Sequence, residues 1–229
     1  LAVSAAAALS FESPLEGRGG AQGERLDSVS QQYGGEVFAT LSLLREYETR
    51  LAGPHEGRRA LYSFCRENGL HAAVMKEICQ LKAQLVRLCF HSEWLARLLL
   101  PSAAPAASIA EALGFAEGGG GEEAALTPEL NPRIAAVVRR AVCVGWADQV
   151  AKRVHYQQQS QEGEGRGAAV TMRRKARYQL QDSDLHCHIK AGCAVGRNKP
   201  SFVCYRDLVL TRKSHRAHLD APTEVEGSW

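Results

Sequence analysis

The residues of this chain best suited to chemistry are cationic. Arg173, Arg174, Lys175 and Arg177 form one run. Lys190, Arg197 and Lys199 fall at or near turn sequences, and Arg206, Arg212 and Lys213 flank the longest strand-like stretch. Guanidinium and ammonium groups neutralise phosphates, so a cluster of this kind points to gripping a polyanion rather than to breaking a bond. Phe202, Tyr178 and Tyr205 are the aromatic candidates to stack on bases. The whole chain has a net charge of +3, but residues 131–216 hold 17 Lys and Arg against 6 Asp and Glu. That is a local excess of +11, and the remainder carries −8. Such a split fits a nucleic-acid-binding face, and equally a solvated surface that meets an acidic partner domain.

Other chemistry finds less support. His186-Cys187-His188 with Cys193 has the donor types of a tetrahedral zinc site. Along a strand, however, alternate side chains point to opposite faces, so His186 and His188 turn away from Cys187. No C-x-x-C pair occurs, and no zinc is expected. A Cys/His nucleophile lacks an identifiable orienting carboxylate or oxyanion site. The chain has no G-x-x-x-x-G-K-[ST] phosphate loop, no Asp-Glu-Ala-His motif and no G-x-S-x-G elbow. No catalytic residue and no bound cofactor are therefore assigned to it. The seven cysteines are odd in number and lack framework spacing, which favours free thiols in a reducing compartment.

These side chains need elements to position them. The spacing predicts an α+β chain, with a helical half over 1–101, a flexible tether over 102–130 rich in Ala, Pro and Gly, and a basic half over 131–229. Leu1–Ser10 reads as the tail of a buried helix cut by a fragment boundary. It is too short and too poor in basic flanks for a membrane span or signal peptide, and no later stretch reaches membrane length. Residues 16–35 read as a surface loop. Helices follow over 36–51, with Val37, Leu41, Leu44 and Tyr47 inward, and over 56–68, burying Leu61, Phe64 and Cys65. Asn68-Gly69 closes the second of these, since glycine alone adopts the left-handed conformation without strain. The next helix repeats Val74, Ile78, Leu81, Leu85 and Leu88 at steps of four and three, which places all five on one face, and it extends toward Leu100. In the basic half, Pro132 opens a helix with Ile134, Val137, Val138, Ala141, Val142 and Trp146 inward, and 157–167 is a second polar linker. Strands are expected at 177–180, 185–189, 202–205 and 208–211. Short strands with polar turns suggest a small barrel or a sandwich.

Phe64-Cys65-Arg66-Glu67-Asn68-Gly69-Leu70, followed by Met75, Glu77-Ile78, Leu81-Lys82 and Gln84-Leu85, resembles the helicase-associated ratchet region of DEAH-box RNA helicases. Within that family it is most like the nucleolar branch that serves the small-subunit processome. Gly35 to Leu41 fits the ratchet's earlier helix, Ala141 to Ala151 the helix that leads into the family's oligonucleotide-binding barrel, and Val203 to Lys213 a long strand of that barrel. Trp229 falls where the family continues with a Trp. Two departures stand out. His188-Ile189-Lys190-Ala191 replaces His-Pro-Ser-Ser, and Lys82 stands at the Arg of Arg-x-Gln-Leu, keeping the charge without the fork geometry. The resemblance implies a helical bundle followed by an oligonucleotide-binding β-barrel with a leading helix. Together these would line the channel of an ATP-dependent RNA helicase whose RecA-like domains, with ATP and Mg²⁺, precede Leu1. Lys82 and Gln84 would contact single-stranded RNA, a pre-rRNA or snoRNA, with the basic barrel loops and His188 holding the strand. A nucleolar location and a ribosome-assembly protein as activator follow from the same resemblance. The rival reading is a non-enzymatic RNA-binding or scaffold module.

Overall fold

The computed structural model describes residues 1–15, 20–51, 58–91, 129–154, 176–181, 183–190, 192–211 and 216–229. The chain is α+β and divides into two units. One comprises residues 1–33 and 37–138 and is helical. The other comprises 34–36 and 139–229 and contains the sheet. The expected tether and polar linker, and the extension of the central helix toward Leu100, lie outside the described residues.

The helical unit holds α1 (Ala2–Leu9), α2 (Gly20–Tyr33), α3 (Glu36–Leu51), α4 (Arg58–Glu67), α5 (Ala72–His91) and the first half of α6 (Pro132–Gly145). Helix α3 has the bounds its periodicity predicts. It buries Val37, Leu41, Leu44 and Tyr47 as expected, and Phe38, Ala39 and Leu43 besides. A helix buried on nearly all sides is the centre of a core rather than its lid.

Helix α4 buries Leu61, Phe64 and Cys65 and ends as the sequence indicates. Gly69 takes φ +60°. The Leu70 N–H donates to the Cys65 carbonyl at 2.8 Å and the Gly69 N–H to the Arg66 carbonyl at 3.3 Å, the paired bonds of a Schellman closure. The Asn68 amide adds a third bond, to the Phe64 carbonyl at 2.8 Å.

Two expectations for this unit are corrected. Residues 16–35 are not a loop throughout, because 20–33 form α2. Its buried side is made by Leu26, Asp27 and Ser30, a stripe too small and too polar to register as an apolar period. The inward face of α5 is also rotated. Met75, Ile78, Lys82 and Val86 are the buried positions, whereas Leu81 and Leu85 are half-buried and Leu88 is exposed. A charged residue holds a core position because Glu48 of α3 meets it there.

Helix α6 is capped by Asn131, whose side-chain oxygen accepts the Ile134 N–H at 3.0 Å, with Pro132 in the first turn. Ala135, Val138 and Val142 are its buried residues. Val137 and Ala141, expected inward, are exposed.

The sheet has seven strands: β1 (Val150–Val154), β2 (Arg177–Leu180), β3 (His186–Ile189), β4 (Phe202–Cys204), β5 (Asp207–Thr211), β6 (Arg216–Asp220) and β7 (Thr223–Val225). A single turn of helix, α7 (Val195–Asn198), precedes β4. Strand order is β5-β6-β3-β2-β1-β4-β7, with β3 and β6 parallel and every other pair antiparallel. This corrects the closed barrel: the hydrogen-bonded ladder is open, with β5 and β7 at its ends. The long strand that the resemblance implies over 203–213 is broken at Tyr205-Arg206 into β4 and β5, close to the two strands expected at 202–205 and 208–211. Strands β1, β6 and β7 were missed. Val150-Ala151 reads as a helix tail, and β7 is three residues long. The core of this unit is Ala151, Tyr178, Cys187, Ile189, Val203, Ala217 and Leu219. Inside it the Tyr178 hydroxyl donates to the Pro200 carbonyl at 3.1 Å.

Candidate nucleic-acid interface

Strand register decides which side chains leave the core together. Lys152 of β1 pairs with Gln179 of β2 on one side and with Phe202 of β4 on the other, and Gln179 pairs with His186 of β3. Because the pleat alternates, these four share the face opposite Ala151, Tyr178 and Cys187. They form one row, Phe202–Lys152–Gln179–His186, about 14 Å across at the usual strand spacing. The Lys152 ammonium lies 5.8 Å from the centre of the Phe202 ring. A Cβ on Gly227 would come within 2.7 Å of that ring, so glycine is what lets the backbone lie beside it. The Gln179 amide donates to Asp184 at 3.2 Å.

Beside this row on the same face, Arg177 is exposed and pairs with Val154, and His188 pairs with His218 at 6.3 Å between rings. His188 Nδ1 lies 3.0 Å from the Ala176 carbonyl. A carbonyl only accepts, so Nδ1 is the donor in this bond. An aromatic ring, an ammonium, an amide and imidazoles on one solvent-facing surface can stack a base and neutralise a phosphate.

The sequence-derived candidates sort into three groups. Arg177, Lys190, Arg197 and Lys199 are exposed on the sheet unit, and Gln84 is exposed on α5 of the helical unit. Lys199 is held in the left-handed region at φ +48°, and its carbonyl accepts a bond from the Arg153 guanidinium. Arg173, Arg174, Lys175, Arg212 and Lys213 lie outside the described residues. In chain order they belong to the β1–β2 and β5–β6 connections.

Lys82 and Arg206 differ from expectation. Lys82 is 3% exposed and its ammonium sits 2.6 Å from the Glu48 carboxylate, itself buried. It is a core charge, turned away from any strand in solvent. Arg206 places Nη2 2.5 Å from Asp220 and Nε 3.1 Å from Asp207. Both arms of its fork are engaged, and it ties the β4–β5 corner to β6. Of the aromatic candidates, Phe202 and Tyr205 are half-buried, Phe202 on the face that carries Lys152, and Tyr178 is wholly buried. Lys152, Gln179 and His186 were not among the sequence-derived candidates. The alternation in Val150-Ala151-Lys152-Arg153-Val154 was the available signal.

The buried cysteines of the sheet are poor reactive groups. Burial pushes the Cys187 and Cys204 thiols up to about 12, so the thiolate that would bind metal or attack a substrate is disfavoured. Along β3, His186 is exposed, Cys187 buried and His188 half-buried. Among the described residues no group of three or more His, Cys, Asp or Glu could hold a metal ion. None of the described helices is long and apolar enough to cross a membrane. No protein-family model matches the chain, and no curated protein does.

Proposed function

We propose that the chain binds single-stranded RNA along the open face of its sheet. The row Phe202–Lys152–Gln179–His186 carries this reading, since it sets a ring and a cation side by side on the face opposite Ala151, Tyr178 and Cys187. Base stacking on a platform of this kind tolerates any sequence, because every base has a π-face. The fold supports the same reading. Strand β4 ends at Cys204 and β5 begins at Asp207, so β5, at one end of the strand order, follows closely in the chain on β4, next to the strand at the other end. The Tyr205 N–H bonds the Gln149 carbonyl beside β1, and the Arg206 N–H bonds the Asp220 carbonyl of β6. Together with the parallel β3–β6 pair and a short helix before β4, this supports reading the chain order as that of an oligonucleotide-binding fold. In such folds the face of strands 2 and 3 and the loops after strands 1 and 4 hold nucleic acid. Here the corresponding connections carry Arg173, Arg174 and Lys175, and Arg212 and Lys213.

The wider assignment rests on the DEAH-box resemblance of residues 64–85. On that reading the chain is the RNA-channel region of an ATP-dependent helicase of small-subunit ribosome assembly, acting in the nucleolus. ATP and Mg²⁺ would be held by its RecA-like motor domains. The chain contributes grip, and the motor contributes movement. A non-enzymatic RNA-binding module uses the same face without the motor.

Fluorescence anisotropy with labelled single-stranded and duplex RNA, across a salt series, tests the binding. Affinity for the single strand falls linearly in log–log form as salt rises, with little dependence on sequence. Equal affinity for a duplex, or no affinity at low salt, rules the assignment out.

A further inference from the structure

A sheet edge presents backbone N–H and C=O groups that another strand can pair with, and chains normally blunt it with charge, proline, a bulge or a covering segment. The two edges of this sheet are treated differently. Alongside β7 lies Gly34–Glu36: Gly35 bridges Thr223, the Glu224 N–H donates to the Gly34 carbonyl at 2.6 Å, and the Glu36 N–H donates to the Pro222 carbonyl at 3.3 Å. Among the described residues, β5 pairs with β6 alone. It contains no proline and no lysine, and it exposes Val209 at 46% and Leu210 at 66%. Adjacent strand residues point to opposite faces, so no single layer laid on the sheet shields both. A strand added alongside β5 shields both at once.

The charges select which strand. Asp207 opens β5 with its side chain 65% exposed, beside Arg206. Exposed Arg216 lies across from Thr211 at the other end, and Arg212 and Lys213 follow in the chain. An apolar strand with one acidic and one basic end is complementary to itself run antiparallel. We propose that β5 pairs with β5 of a second copy about a two-fold axis at Val209, joining two sheets edge to edge. In that register Leu208 lies opposite Leu210 of the second copy. Asp207 lies opposite Thr211 of the second copy and one strand away from its Arg216. The shared strand is distinct from the Phe202–Lys152–Gln179–His186 row, and the positions that test the pairing, Val209, Asp207 and Arg216, lie outside the residues proposed to hold RNA.

Sedimentation velocity of the whole chain, from low to high micromolar concentration, tests this. The unmodified chain forms a concentration-dependent dimer. Val209→Lys leaves it monomeric at every concentration with an unchanged thermal melt, as expected for a substitution at an exposed position. Asp207→Arg weakens association about fivefold or more by setting like charges across the seam, and adding Arg216→Glu restores it. A chain that stays monomeric throughout overturns the proposal, whether or not it captures an apolar extended peptide on β5 instead. A dimer indifferent to Val209→Lys and Asp207→Arg overturns it as well.

Discussion

Replacing Lys82 separates a structural charge from an RNA contact. The Lys82 ammonium and the Glu48 carboxylate are 2.6 Å apart with side chains 4% and 8% exposed. Lys82→Met keeps the length and packing of the stem but removes the ammonium from beside the buried carboxylate, which costs about 3–5 kcal/mol. Lys82→Met with Glu48→Leu removes both charges and their desolvation cost. The double variant should return to within about 1 kcal/mol of the unmodified chain, or exceed it. Urea unfolding followed by the helical circular-dichroism signal reads both values, and a constant denaturant slope confirms that the compared states are the same. At temperatures where Lys82→Met remains folded, its affinity for single-stranded RNA is unchanged. A cost below about 1 kcal/mol for the single variant would refute the buried-pair argument. So would a loss of RNA affinity at full helical content.

Gly69→Ala forces a Cβ into the left-handed region at φ +60° and should cost about 1 kcal/mol in the same urea assay, without changing RNA affinity. Alkali should destabilise the sheet unit. Burial holds the Tyr178 hydroxyl at about 12 against an ordinary value of 10.0, so the unfolded chain releases this proton first and stability falls as pH rises through that interval. The contribution reaches about 2–3 kcal/mol near the upper end. Tyr178→Phe forgoes the bond to Pro200 but has a shallower decline above pH ~10, measured by thermal melts across a pH series. Arg206→Ala frees the β4–β5 corner and leaves Asp220 without its guanidinium. It should lower stability by about 1–3 kcal/mol while leaving the salt dependence of RNA binding as it was.

How far the fold could be read in advance depended on whether a residue's role was local. The bounds of α3, the glycine closure at Gly69 and the strand at 177–180 follow from periodicity and backbone chemistry within a few residues, and all were legible. The face of α5 was not. Lys82 is inside only because Glu48, 34 positions earlier, meets it there, and no apolar period reports such a partner. Helix α2 escaped because Ser30 and Asp27 occupy buried positions where an apolar pattern needs large side chains. Strand β7 is three residues long, Val150-Ala151 of β1 reads as the tail of the preceding helix, and β6 contains no β-branched or aromatic residue to mark it as a strand. The same holds for the candidate site. The basic cluster was visible as composition. The row that joins Lys152, Gln179, His186 and Phe202 exists only once strand register is known, because it draws its members from four strands. Arg206 looked like its equals in sequence and differs from them only through Asp207 and Asp220.

The most direct test is the RNA affinity of Lys152→Ala and Phe202→Leu, each confirmed folded by thermal melt. Phe202→Leu keeps an apolar group against Gly227 but removes the stacking ring, and should cost about 1–3 kcal/mol of binding on every RNA sequence alike. Lys152→Ala should weaken binding with all sequences and reduce the magnitude of the salt slope by about 0.7. Unchanged affinity in both variants, at full fold, would contradict an RNA platform on the open face of the sheet.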